Sequence, residues 1–310
     1  MKTTVAIAVN TFREAVRQPV FWAIVILTLV LMPLSVLFAG FALGEESRLV
    51  RDACLTSITI AGLLLAIFLS SNVVAEEIEK KTALSVLCKP VRRHQFIVGK
   101  FLGLTCTIAL AYIVLTLALM LTIWYYESPF KYAELYSIYR SGKPVDVNQI
   151  YVLTNRTVFD ESLHGSPLPF SVIVDFLRTD ISSFLTVVPN LAKGCLLSFF
   201  EVAILTSAAV AFSTRVTMIF NVCLTFSLFI VGHQAGHLIT LLSGTKEVAV
   251  PGLILRRILP NFEFLNYASD IAFDKIVPNH LIWNLTIYSA LWVAVFLLFA
   301  MALFDQREIA

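Results

Sequence analysis

Six apolar runs, each long enough to cross a lipid bilayer, constrain the fold of this 310-residue chain more than any other feature. A membrane-spanning helix needs about 20 mainly apolar residues, because each residue adds about 1.5 Å across a hydrocarbon core about 30 Å thick. The predicted spans are residues 20–43, 54–75, 101–124, 188–212, 216–242 and 281–304. The sequence therefore predicts a single all-α, polytopic membrane domain over residues 1–310.

The composition supports this class and excludes others. Apolar residues make up 58% of the chain and charged residues only 14%, whereas soluble domains are about 45–50% apolar and about 25% charged. The net charge of +2 is too small for the electrostatic footprint of a nucleic-acid-binding protein. A lipid membrane is therefore the expected surroundings, with no nucleic-acid partner.

The distribution of basic residues predicts the orientation. Six Lys and Arg residues fall within residues 76–100, the connection between the second and third spans. Short connections rich in Lys and Arg stay on the cytoplasmic side. We therefore expect both termini in the cytoplasm and residues 44–53, 125–187 and 243–280 outside. The last of these is interrupted by prolines and a glycine and is predicted to be broken, with part of it a candidate to re-enter the membrane.

Residues 1–19 have the pattern of an amphipathic helix. One face carries Val5, Val9, Phe12 and Val16, and the other carries Asn10, Arg13, Glu14 and Arg17. Such a helix can lie along the membrane surface with its apolar face among the headgroups. The alternative is that these residues simply extend the first span into the cytoplasm.

The charged connection at residues 76–100 also has helical spacing. Apolar residues recur on one side of it from Ile78 to Leu87, and charged residues from Glu76 to Lys81 occupy the other side. Pro90 disfavours the helical conformation of the residue before it, so the helix should end near Cys88 or Lys89. A short rigid helix between two spans is suited to receive force from a soluble partner.

Several motifs, taken in their order along the chain, resemble the membrane permease subunits of type-2 ABC exporters. Residues 10–17, Asn-Thr-Phe-Arg-Glu-Ala-Val-Arg, resemble the elbow helix of that family, and the motifs of residues 77–100 resemble its signature between spans two and three. Residues 206–215 and the C-terminal residues from Phe304 are also similar. One departure is Lys81, which stands where the family often has glycine.

The resemblance implies a homodimer or heterodimer of permeases in the plasma membrane, the inner membrane of a bacterium, driven by separate cytoplasmic ATP-binding subunits. It implies that the partner binds ATP and magnesium and that this chain needs no cofactor. The helix between spans two and three would be the coupling helix that docks on the ATPase. The residues assigned to that coupling are Glu77, Glu79, Lys81, Thr82, Leu87, Pro90, Val91, Arg92, Arg93, Gly99 and Lys100.

The chain shows no sequence signal for an ATPase of its own. A phosphate-binding loop needs two glycines at fixed spacing followed by Lys-Ser or Lys-Thr. The sequence Gly99-Lys100 is followed by Phe101, and His94 stands where the first glycine would be. We therefore expect no catalytic residue in this chain.

Glu201 lies in the middle of the fourth predicted span, where a charged side chain costs about 2.5–3.5 kcal/mol or more. It is therefore a candidate for the substrate path. The alternative is a structural role in the helix bundle, with Lys193 as the expected partner. His233 and His237 share a helix face as metal ligands can. With no obvious third ligand they are better explained as polar lining or as an interfacial pair near the outer leaflet, and an intramembrane metalloenzyme built on them and Glu201 is the weakest hypothesis.

The leading functional prediction is the transmembrane subunit of an ATP-driven exporter. The alternative is a membrane anchor or scaffold that belongs to an ATPase-linked assembly and transports nothing, with residues 125–187 as its working part. The sequence predicts no substrate.

Overall fold

The computed structural model describes residues 2–39, 46–72, 93–127, 170–234, 259–273 and 275–305. Within these ranges the chain forms eight α-helices and no β-strand. The helices are α1 (Lys2–Arg17), α2 (Pro19–Ala39), α3 (Glu46–Ser70), α4 (Arg93–Glu127), α5 (Phe170–Ser213), α6 (Met218–His233), α7 (Ala268–Ala272) and α8 (Asn279–Asp305).

Five of these helices are long and apolar enough to cross a membrane. The qualifying segments are Pro19–Phe38, Ser47–Ser70, His94–Tyr125, Val187–Ser213 and Asn279–Phe304. They confirm the predicted class of multi-pass helical membrane protein. The fifth predicted span is described only as α6, whose 16 residues rise about 24 Å, and residues 235–242 of that prediction lie outside the described residues. A total of six spans therefore remains a prediction.

Several helices begin earlier than hydropathy predicts. α3 begins at Glu46 rather than at residue 54, so most of the predicted loop at residues 44–53 is helical. Its polar first turns are accommodated by protein, since Arg51 is buried and the Arg48 guanidinium lies over the ring of Phe273. Hydropathy identifies helical residues that can face lipid. It does not identify helical turns whose polar residues contact protein.

α4 and α5 also begin before the predicted spans. α4 begins at Arg93, eight residues before the predicted span, and thus takes up the end of the predicted coupling segment. α5 runs without interruption from Phe170 to Ser213, so the predicted fourth span is the C-terminal part of a 44-residue helix. The predicted loop at residues 125–187 therefore contains the beginning of α5, and its residues 128–169 lie outside the described residues.

Four contacts place one set of helix ends together. They join Thr3 to Gln95, Ser71 to Asn221, Phe96 to Phe304 and Arg215 to Leu303. α1, the end of α3, the start of α4, the turn between α5 and α6 and the end of α8 thus lie at the same end of the bundle. This arrangement agrees with the prediction that consecutive spans run in opposite directions. The assignment of this end to the cytoplasm remains a prediction.

The described part of the connection from α6 to α8, residues 259–273 and 275–278, lies at the opposite end of the bundle. Asn190 of α5 donates to the carbonyl of Lys275 at 2.8 Å and accepts from the amide of Val277 at 3.1 Å. Phe262 and Leu265 are buried against the helices, although the chain around them is irregular. α3 and α5 form the centre of the bundle, whereas α2 and α8 expose broad apolar faces. The centre is therefore where polar groups are most shielded.

Candidate functional site

The most unusual side chain in the centre of the bundle is Glu201 of α5, which is 1% exposed. Its Oε1 atom lies 3.5 Å from Nδ1 of His233, the last residue of α6. Neither atom makes a hydrogen bond within the described parts of the chain. Glu201 lies well inside the bundle, since it is 12 residues, or about 18 Å of helix, from the α5 terminus at Ser213, whereas the His233 side chain is 21% exposed. The carboxyl group is therefore in a low-dielectric region, and the imidazole lies at the edge of that region.

Glycine and aromatic residues hold His233 in this position. A Cβ atom on Gly232 would overlap the ring of Phe262. Glycine at this position therefore allows the segment that contains Phe262 to approach the end of α6. The Phe262 amide donates to the carbonyl of Gly232 at 3.1 Å. The imidazole ring of His233 lies between Phe229 and Phe262, at centroid distances of 4.4 and 5.9 Å. These contacts fix the imidazole against Glu201.

A chain of hydroxyl groups lies one turn from Glu201. The hydroxyl of Ser198 on α5 is 2.9 Å from that of Thr59 on α3 and 2.9 Å from that of Tyr112 on α4. Gly62 makes room for the Tyr112 hydroxyl, which a Cβ at that position would overlap. Three helices of the bundle are thus joined by hydrogen bonds at one level.

A small pocket opens beside these groups. It lies between α3, α5 and residues 265–268. Its polar lining residues are Thr59, Cys195, Ser198, Glu201, Asn266 and Tyr267, and its apolar residues include Leu55, Ile58 and Leu265. Glu201 is the charged residue of this lining. The pocket therefore combines a buried carboxyl group with hydroxyl and amide groups.

The predicted partner of Glu201 is wrong. Lys193 donates its Nζ to the carbonyl of Val277 at 2.8 Å, and His233 takes the place beside Glu201. The physical reason is helix geometry, since two residues eight apart on one helix are separated by about 12 Å along its axis. A lysine near the end of the bundle reaches a carbonyl at that end more easily than a carboxyl group two turns deeper.

The weak metal hypothesis for His233 and His237 receives no support from geometry. His237 lies outside the described residues. In the described ranges, no group of three or more His, Cys, Asp or Glu residues is arranged to hold a metal ion. The role of His233 that the structure does describe is its contact with Glu201.

Most residues predicted to couple to an ATPase lie outside the described residues. They are Glu77, Glu79, Lys81, Thr82, Leu87, Pro90, Val91 and Arg92. Arg93 is the first residue of α4. Gly99 and Lys100 lie two turns further along α4, where they contact α1. The coupling role of all eleven residues stays a prediction.

The contact between α1 and α4 is unusually close. Cβ atoms built on Gly99 and Gly103 would lie 2.8 Å from Ile7 and 2.6 Å from the carbonyl oxygen of Ala8, respectively. The Lys100 ammonium group is 3% exposed and lies 3.7 Å from Oε2 of Glu14. Small residues four apart let two helices approach to backbone contact. α1 is therefore seated directly on the helix that follows the predicted coupling segment.

The face that α1 turns to the protein coincides only in part with its predicted apolar face, of which Val16 packs against the core. Thr11 and Ala15 are fully buried, whereas the side chains of Val5 and Val9 are 58% and 45% exposed. Exposed valines on a helix beside the spans are consistent with the predicted position along the membrane surface. The packed small-residue face was not predicted from the sequence, although the Gly99–Gly103 spacing is a usable signal for it.

A polar contact also secures the chain before the predicted coupling segment. The fully buried Asn221 of α6 donates its side-chain amide to the hydroxyl of Ser71 at 3.0 Å. Ser71 lies in the last turn that the structure describes before residue 73. Sequence reasoning missed Asn221, as it missed Tyr112 and Ser198. An asparagine within a 16-residue apolar helix was the available signal.

These features define a multi-pass helical membrane protein with a polar pocket in its bundle. Residues 5–141 match the family described as ABC-2 family transporter protein. The match confirms, over this part of the chain, the predicted resemblance to ABC-2 type permeases, the membrane components of ABC transporters. A search among curated proteins found no match to this chain.

Proposed function

We propose that this chain is the transmembrane permease subunit of an ATP-driven ABC exporter, powered by a separate ATP-binding subunit. The observation that carries the proposal is the family match over residues 5–141. That range includes the predicted elbow helix, the first three predicted spans and the whole predicted coupling segment at residues 76–100. The part of the chain with family resemblance is thus the part that would receive force from an ATPase.

The packing on both sides of the predicted coupling segment supports this role. Before it, Ser71 is held by the buried amide of Asn221. After it, α4 is held by α1 through backbone-level contact at Gly99 and Gly103. The two helices that the segment joins, α3 and α4, are thus both packed into the bundle. Displacement of the segment by an ATPase would therefore be transmitted into the bundle.

The proposed mechanism is alternating access in a dimer of permeases, either two copies or two related chains. ATP and magnesium bind to the partner subunits, whose closure moves the coupling segments. The helices then switch between an inward-open and an outward-open arrangement. In this proposal the protein lies in the plasma membrane of a bacterium with both termini in the cytoplasm, and Glu201 lies on or near the substrate path.

The test is charge reversal in the coupling segment. We expect Arg92→Glu with Arg93→Glu to reduce co-purification with the ATP-binding subunit and to abolish ATP-dependent flux in proteoliposomes, because these arginines flank the docking helix. The matched control is Arg256→Glu with Arg257→Glu, another adjacent arginine pair that is predicted to lie on the opposite side of the membrane. The control should insert, bind the ATPase and transport normally.

Two results would contradict the proposal. One is unchanged ATPase binding and unchanged flux in the Arg92 and Arg93 variant. The other is that the unsubstituted protein binds the ATP-binding subunit normally but transports none of the compounds extracted from the native membrane. This result would favour the anchor or scaffold role. A cysteine placed at His94 and labelled from one side of intact cells would test the orientation.

A further inference from the structure

Glu201 and His233 face each other with two atoms that have no hydrogen-bond partner among the described residues. The Oε1 atom of Glu201 and the Nδ1 atom of His233 are both buried and lie 3.5 Å apart. Without a proton between them, two atoms that carry lone pairs would meet in a region shielded from water. Buried polar atoms in folded proteins are nearly always paired, so this contact calls for an explanation.

A single proton held between the two side chains satisfies both atoms. On the carboxyl group, it makes an O–H that donates to Nδ1, and on the imidazole, it makes an Nδ1–H that donates to the carboxylate. In either arrangement the pair has no net charge. With no proton the pair would be an anion, and with two protons it would be a cation. Because an uncompensated buried charge is costly, the one-proton state is the one that fits this position.

We propose that Glu201 and His233 form a proton-binding site, which holds one shared proton while α6 is packed on α5. Hydrogen bonds between nitrogen and oxygen are about 2.7–3.2 Å long, so the two atoms need to approach by about 0.3–0.8 Å from their separation of 3.5 Å. The imidazole is held between Phe229 and Phe262. Rotation of the longer glutamate side chain can make this small movement.

His233 provides the route by which the proton is exchanged. Its Nδ1 atom is buried, but the side chain as a whole is 21% exposed, so other atoms of the ring reach the surface of the bundle. A proton taken up at Nε2 makes an imidazolium ion, whose Nδ1 proton can pass to the Glu201 carboxylate. The products are a neutral carboxyl group and a neutral imidazole that keeps the new proton on Nε2.

Proton binding at this site is linked to the packing of α6. The carboxyl group belongs to α5 and the imidazole to the last residue of α6, so separation of these helices would separate the pair. The shared proton therefore stabilises the arrangement in which α6 packs on α5. By linkage, a rearrangement that moves α6 away must lower the affinity of the site for its proton by the same free energy.

The other charged side chains on the described elements around the pair are engaged elsewhere or exposed. Lys193 of α5 donates to a backbone carbonyl, and Asp270 of α7 pairs with Lys275. Glu263, in the segment after α6, and His280, in the first turn of α8, are exposed. The residues that α3 presents to the pocket carry no ionisable group.

The remaining ionisable groups near the pair are mainly neutral between pH 6 and 8. They are Tyr112 of α4, Cys195 of α5, Tyr267 after α6 and Tyr288 of α8. Tyrosine and cysteine have ordinary pKa values of about 10 and about 8.5. The backbone of Phe229, one turn before His233, can accept a hydrogen bond from the imidazole but takes up no proton. A change in protonation over this range therefore concerns Glu201 and His233.

The experiment measures Tm of the purified full-length protein between pH 6 and 8. In the unfolded chain, glutamate and histidine have ordinary pKa values of about 4.3 and about 6.5, so the two side chains lose their last proton as the pH rises through this range. A folded pair that keeps its proton then binds one proton more than the unfolded chain, and stability falls as the pH rises. We expect the pair to lower Tm by about 4 °C from pH 6 to pH 8.

Glu201→Gln should lack this fall, because its amide cannot take up the proton and leaves the imidazole without a carboxylate beside it. Glu201→Leu is the second variant, since an apolar residue often replaces a buried ionisable group without loss of stability. The matched control is Glu263→Gln, at the exposed glutamate near His233, and it should keep the fall. A merely structural effect of a substitution would shift Tm equally at both pH values.

Infrared difference spectra between the unsubstituted protein and Glu201→Gln at pH 7 locate the proton. A band of a protonated carboxyl group places it on Glu201, and bands of a carboxylate and an imidazolium place it on His233; either result supports the proposal. The proposal is overturned if the spectra show a carboxylate beside a neutral imidazole. It is also overturned if Tm of the unsubstituted protein and of the Glu201 variants changes in parallel from pH 6 to pH 8. Neither measurement needs an ATP-binding subunit or a substrate, so the outcome is independent of the proposed function.

Discussion

The contact between α1 and α4 leads to a quantitative prediction for Gly103→Ala. The added Cβ would lie 2.6 Å from the carbonyl oxygen of Ala8 and 2.6 Å from Cβ of Thr11. Ordinary contact begins at 3.4 Å, so α1 would have to move by about 0.8 Å, the difference between these distances. A backbone carbonyl cannot rotate away as a long side chain can. The strain must therefore be relieved by displacement of α1.

The expected magnitude combines two opposing effects. Overpacking of a well-packed contact costs about 1–3 kcal/mol, whereas alanine in a helix is about 1 kcal/mol more favourable than glycine. Gly194→Ala on α5 isolates the second effect, since its Cβ would meet only the terminal Cδ1 atom of Ile271 at close range, which can move. The difference in unfolding free energy between the two variants should therefore be about 1–3 kcal/mol.

Thermal unfolding in detergent measures this difference. We expect Gly103→Ala to unfold about 2–6 °C below Gly194→Ala, taking about 2 °C for each kcal/mol in a chain of this size. A disulfide between cysteines placed at Thr3 and Gln95, whose side-chain oxygens are 3.1 Å apart, reports the position of α1. It should form efficiently with Gly103 intact and less efficiently in Gly103→Ala. Equal Tm values and equal cross-linking in the two alanine variants would refute the close packing of α1 on α4.

Two further predictions concern hydrogen bonds between helices. Asn221→Leu should remove the bonds to Ser71 and from Thr225 and lower stability by about 1–3 kcal/mol, because it leaves buried hydroxyl groups without this partner. If the bond to Ser71 anchors the coupling segment, flux per ATP hydrolysed should also fall, and an unchanged ratio would contradict the anchoring role. Tyr112→Phe should cost about 0.5–1.5 kcal/mol in thermal stability, because it removes the bond to Ser198; a Tm equal to that of the unsubstituted protein would show that the bond contributes nothing.

The spans were predictable because the signal is local. About 20 consecutive apolar residues suffice to identify a membrane helix, and the described ranges contain five such helices. Helix ends were less predictable, since α3 begins with polar turns and the first 11 residues of α5 include Asp175, Arg178 and Asp180. The site was predictable only in part. Glu201 stands out in any apolar run, but its neighbour could not be identified, because His233 is 32 residues away and comes close only when α6 packs on α5.

The amino-acid sequence by itself determined that this chain is a polytopic helical membrane protein with family-like motifs, because hydropathy and motif order are properties of consecutive residues. Only the tertiary structure decided which polar groups meet inside the bundle. It placed Lys193 on the carbonyl of Val277, His233 beside Glu201 and Asn221 against Ser71. These pairings depend on how helices distant in sequence pack together, and no local pattern encodes the distances between them.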